Sequence, residues 1–125
     1  MNFLDNLFRI KSIKEAENGF SAILRCNPKH SIYQAHFPGN PITPGACLLK
    51  TAGEVLQQKT GRPLYLKASK NIKYLNLLIP VEGKEVCFSF SNFTETENGC
   101  KAQLVIADEV VVYSKMSLTF SYEPF

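Results

Sequence analysis

The chain holds two histidines, and one of them, His36, heads the stretch His36-Phe37-Pro38-Gly39-Asn40-Pro41-Ile42-Thr43-Pro44-Gly45. Three of the seven prolines and two of the seven glycines fall within these ten residues. Each proline fixes its own φ and restricts the residue before it, so the segment is stiff. Gly39 and Gly45 permit backbone conformations or close approaches that a side chain would block. An imidazole held on a stiff loop can act as a base near neutral pH. If a helix starts at the end of the loop, the free N–H groups of Gly45 and Ala46 can polarise a carbonyl that gathers negative charge. The same residues also fit a rigid connection that happens to carry a histidine, and their spacing leaves both readings open.

Other groups carry less. His30 reads as a turn or loop residue. Cys26, Cys47, Cys87 and Cys100 stand far apart, with no C-x-x-C pair and no histidine spaced as a zinc co-ligand, so no metal is expected. They read as reduced, mostly buried small hydrophobes; Cys47 near a helix start has no base paired with it in sequence. Lys59, Arg62, Lys67, Lys70 and Lys73 form a run without an acid. Such a run suits a solvated face or an acidic partner.

The elements that must position these residues follow from hydrophobic spacing. Pro44 fits the first position of a helix, with Thr43 as its cap. Leu48, Leu49, Ala52, Val55 and Leu56 then repeat along one helical face, while Lys50, Glu54 and Gln57 gather on the other side. Gly61 and Pro63 end the helix. Before it, Phe8–Ile13 and Phe20–Arg25 flank Asn18-Gly19 as a hairpin, and residues 28–44 read as irregular because of their prolines. After Pro63 the pattern is strand. Val86, Phe88 and Phe90 share a face, as do Cys100, Ala102, Leu104 and Ile106 beyond an Asn98-Gly99 turn. A third turn at Asp108-Glu109 leads to Val110, Val112, Ser114, Met116, Leu118 and Phe120 on one face. One long helix against about five or six antiparallel strands is an α+β domain spanning 1–125, its helix covering the apolar face of the sheet.

Composition narrows the function. With 125 residues, 45% hydrophobic and 20% charged, the chain has the make-up of one ordinary globular domain. A formal charge of +3 is too small to imply nucleic-acid binding. The first residues lack a signal-peptide pattern and no run of apolar residues is long enough to span a membrane, so a soluble cytoplasmic protein is expected.

The segment from His36 to Gly45 resembles the H-F-P-G-x-P-x-x-P-G signature of the 3-hydroxyacyl-(acyl-carrier-protein) dehydratases. His30-Ser31-Ile32-Tyr33 upstream, and Asn71–Tyr74 through Pro80–Gly83 downstream, extend the likeness over most of the chain. Short relatives in aryl-polyene pathways share the same signature. The resemblance implies a hotdog fold, in which a curved antiparallel sheet wraps a long central helix, and a dimer. It also implies an acyl carrier protein as partner and no cofactor. By position, His36 would take the α-proton of a 3-hydroxyacyl thioester, and Gly45 and Ala46 would hold the thioester oxygen. Phe37 and Lys50 would border the substrate.

The family's acid sits five residues after the second motif glycine, and here that residue is Lys50. Three routes to a proton donor stay open: Lys50 with a depressed pKa, Glu54 one turn on, or a carboxylate from a partner chain. Glu54 can instead pair with Lys50 at i,i+4 on the helix surface. A non-catalytic subunit that binds an acyl chain or its carrier is the alternative, alone or in a heterodimer with an active partner, and a hotdog thioesterase is the third.

Overall fold

The computed structural model describes residues 2–124. Strands β1 (Phe8–Ala16) and β2 (Gly19–Cys26) form the first hairpin. A single-turn helix α1 (Ile32–Ala35) and the long helix α2 (Gly45–Thr60) follow, then β3 (Tyr65–Tyr74), β4 (Glu85–Glu95), β5 (Gly99–Ala107) and β6 (Val112–Ser121). The six strands pair antiparallel in the order β1-β2-β4-β5-β6-β3, which leaves β1 and β3 as free edges.

Alternation builds the core as expected. Val86, Phe88 and Phe90 of β4, Ala102, Leu104 and Ile106 of β5, and Met116, Leu118 and Phe120 of β6 are buried together with Ala52, Val55 and Leu56 of α2. Phe3, Leu4 and Leu7 join them, so the N-terminal lead-in is part of the core.

Several expectations shift. Helix α2 starts at Gly45, with Pro44 as its N-cap and no capping side chain. Thr43 lies one residue outside the cap position, and its hydroxyl pairs with that of Tyr33, at 2.8 Å. Residues 28–44 are not wholly irregular, since α1 fits between Pro28 and Pro38. In both Asn-Gly pairs the glycine is the first residue of a strand. A Cβ on Gly19 would stand 1.9 Å from the carbonyl oxygen of Phe90, and one on Gly99 would stand 1.9 Å from that of Phe120. These glycines are required by close strand approach, while Asn18 takes the positive φ of the first turn. Val110 is 91% exposed in the turn before β6 and does not belong to that strand's buried face. Glu54 is buried and does not lie on a solvated side of α2.

Candidate active site

The proline-rich loop is closed by a short set of backbone bonds. Phe37 and Asn40 exchange N–H···O bonds of 3.2 and 2.9 Å. Between them Pro38 and Gly39, the latter at φ +76°, follow the residue pattern of a type II turn. Ile42 N–H then donates to the His36 carbonyl at 2.8 Å, and His36 N–H donates to Ile32 O at 3.0 Å. His36 is thereby pinned between α1 and the loop. The loop is tied outward by Thr43 N–H to Leu78 O at 2.9 Å and by the buried Tyr33–Thr43 hydroxyl pair. Burial pushes the Tyr33 phenol up to about 12, so it stays a neutral hydrogen-bonding group.

The loop delivers the chain into the N-terminus of α2. The first-turn N–H groups of a helix have no acceptor within it, and here no acidic side chain occupies that turn. Gly45 is needed for space: an added Cβ would stand 2.5 to 2.9 Å from atoms of the Tyr74 ring. Tyr74, the last residue of β3, therefore lies against the start of α2. Sequence reading placed Tyr74 only as part of a strand; its aromatic ring following Lys73 was the available signal.

His36 is half-buried, its ring 5.5 Å from that of Phe37, which is 52% exposed. Among the described residues no side chain hydrogen-bonds to the His36 imidazole. Ala46, Lys50 and Glu54 come together along a groove of about 290 Å³, walled by Leu49, Leu64 and Phe120. His36, Phe37 and Gly45 do not line it.

The acid candidates differ in their surroundings. Lys50 Nζ lies 4.0 Å from a Glu54 carboxylate oxygen, so the i,i+4 pair forms, with Lys50 half-exposed and Glu54 buried. Both Glu54 oxygens accept from Phe3 N–H at 2.9 Å, and one also accepts from Leu4 N–H at 3.1 Å. This carboxylate anchors the N-terminal segment on the helix. Cys47 is buried, and that burial pushes its thiol up, away from the thiolate form. His30 is a turn residue, its Nδ1 accepting from Ile32 N–H at 3.0 Å. Among the described residues no His, Cys, Asp and Glu cluster could hold a metal. No helix is long and apolar enough to cross a membrane.

An antiparallel six-stranded sheet with one long helix, entered through a stiffened loop that carries a histidine, is the hotdog fold. Residues 12–116 match the family model described as ApeI-like, ApeI dehydratase, and the chain belongs to that family. It is 29% identical over 86 residues to the 3-hydroxyacyl-(acyl-carrier-protein) dehydratase FabZ of Latilactobacillus sakei. That match covers 62% of this chain and 61% of the relative, so the chain spans less than two-thirds of the relative's length. In structure it resembles a chain of the dehydratase heterocomplex ApeI:P from Xenorhabdus doucetiae, with a TM-score of 0.71, 15% identity, and 91% and 97% of the two chains covered. A thioesterase from Pseudomonas aeruginosa matches with a TM-score of 0.62 and 12% identity over 94% and 82% of the chains, a likeness of fold alone.

Proposed function

We propose that this chain is the histidine-bearing subunit of a 3-hydroxyacyl thioester dehydratase. Its substrate is carried on an acyl carrier protein, in cytoplasmic fatty-acid or polyene-type lipid synthesis. The observation that carries this reading is the closed loop that holds His36 just ahead of an uncapped helix N-terminus. In the proposed reaction the His36 imidazole removes the α-proton. Electron density moves onto the thioester oxygen, which Gly45 and Ala46 N–H groups stabilise. The bond from C3 to its hydroxyl breaks, and the hydroxyl takes a proton from the acid and leaves as water. Phe37 and Lys50 border the acyl path, and no cofactor is needed.

The acid is Glu54 or a carboxylate of a partner subunit. Glu54 already accepts N–H bonds from Phe3 and Leu4, and protonating it would weaken those bonds. This favours a partner. The partner would cover the free edge of β3, where Tyr65, Leu66 and Tyr74 are each more than one-third exposed. A dehydration assay on 3-hydroxyacyl carrier-protein substrates tests the reading. His36→Ala is expected to lower turnover by about 10²- to 10⁴-fold without unfolding the protein. Absence of dehydration on every such substrate, alone and with a second hotdog subunit, would overturn it.

Lys50 at the family's acid position favours a second reading, a non-catalytic subunit that binds the acyl chain or its carrier. Carrier binding unaffected by His36→Ala, with turnover absent even after Lys50→Glu, would support that reading.

A further inference from the structure

The one-turn helix α1 does not support itself. A single helical turn is unfavourable alone, because it orders several residues for one hydrogen bond. Its N-cap residue, Ser31, makes no side-chain capping bond. His30, one residue earlier, supplies acceptors in its place. The His30 Nδ1 accepts from Ile32 N–H at 3.0 Å, and the His30 carbonyl accepts from Tyr33 N–H at 3.2 Å. A side-chain acceptor bonded to the N–H two residues on is the turn that Asn and Asp make. Histidine makes it only as the tautomer that carries its proton on Nε2.

The residue held by that bond is also the one that holds His36. The Ile32 carbonyl accepts from His36 N–H at 3.0 Å, and the backbone leaves helical geometry at His36, with φ −132° and ψ 72°. Ile32 therefore joins the two histidines, its N–H facing one and its carbonyl facing the other. On its other side the His30 ring stands 6.2 Å from the Phe3 ring at 82°, an edge contact. Phe3 is the residue whose N–H both Glu54 oxygens accept. His30 thus lies where the anchored N-terminal segment meets the turn that leads into His36.

We infer that His30 is a positioning residue for His36, a neutral acceptor at Nδ1 that fixes the turn of α1 through Ile32. This rests on the reading of His36 as the base, so its test includes a readout that needs no turnover.

Two variants separate the acceptor from the ring. His30→Asn keeps an acceptor at the same place along the side chain and loses the ring. His30→Phe keeps a ring against Phe3 and loses the acceptor. Circular dichroism and thermal melts confirm that each is folded, with His30→Ala replacing the Phe variant if that one is not. Imidazole nitrogen shifts in the NMR spectrum of the unaltered chain should show His30 protonated at Nε2 alone. His30→Phe should speed solvent exchange of the Ile32 amide, shift the His36 ring resonances and lower kcat by about ten- to a hundredfold. His30→Asn should leave all three close to those of the unaltered chain. An Asn variant as impaired as the Phe variant overturns the inference, as does a Phe variant with unshifted His36 resonances or undiminished turnover. So does a proton on Nδ1 of His30 in the unaltered chain. If the unaltered chain turns over no carrier-linked substrate, the reading of function fails, and the His36 resonances alone decide this inference.

Discussion

The first turn of α2 and the turn that carries Glu54 belong to one helix, yet they treat polar groups in opposite ways. At Gly45 and Ala46 the helix begins without a capping side chain and without an acidic neighbour. Two turns on, Glu54 is 7% exposed and its carboxylate meets two backbone N–H groups and, at 4.0 Å, an ammonium. Unpartnered donors at a helix start are available to a ligand, whereas a saturated buried carboxylate holds structure together. The helix therefore divides into a reactive end and an anchoring middle.

The largest expected effects test that division in both directions. His36→Ala should cost about 3 to 5 kcal/mol of barrier and leave the melting temperature unchanged. Glu54→Ala should do the reverse, costing about 2 to 4 kcal/mol of stability by leaving Phe3 and Leu4 N–H groups unpaired. Turnover per folded molecule should hold. Thermal melts beside dehydration rates read both. A Glu54→Gln variant that melts normally but loses turnover a hundredfold would break the comparison and make Glu54 the acid.

Glycines sharpen it at the next level. Gly19→Ala would press a methyl against a backbone oxygen that cannot yield, with an expected cost of about 3 kcal/mol or more. Gly45→Ala meets only the ring of half-exposed Tyr74, which can swing aside. Its expected cost in stability is about 0.5 kcal/mol or less, with the damage appearing in turnover. Restoring turnover with Tyr74→Ala in the same chain would show that ring displacement is the cause.

The expected helix and strands were found because their apolar residues repeat at the helical and strand periods, as in Leu48–Leu56 and Val86–Phe90. Those patterns report burial directly. What sequence reading missed depends on partners far along the chain. Glu54 looked like a surface residue because its bonding groups lie 51 and 50 positions away. One local signal existed: Cys47, Thr51 and Glu54 follow i, i+4, i+7 and are all buried, so Glu54 lies on the shoulder of the apolar stripe. The glycines of both Asn-Gly pairs were read as turn residues, although their task is to let the next strand approach. The reactive loop was legible because Pro and Gly dictate backbone shape locally. Its tie to Tyr33 was not, since a hydroxyl pair ten residues apart has no spacing rule.

A second saturated carboxylate asks how far anchoring depends on burial. Asp108 Oδ1 accepts from Val110 and Val111 N–H at 2.8 and 2.7 Å, and Oδ2 meets Lys84 and the Tyr113 hydroxyl. It has at least as many partners as Glu54 but sits at the surface turn between β5 and β6. Lys84 first, then Tyr113 and the two backbone donors, hold its carboxyl well below the usual carboxylate range. A carboxylate depressed in the folded state stabilises above its unfolded pKa, about 3.9 for aspartate, and that contribution fades as pH falls toward the native value. Asp108→Asn should therefore lower the melting temperature at pH 7, by less than Glu54→Ala does, and the gap from the unaltered chain should narrow steadily below pH 4. A gap that stays constant down to pH 2 would mean that the turn is held by hydrogen-bond geometry alone, with no contribution from the aspartate charge.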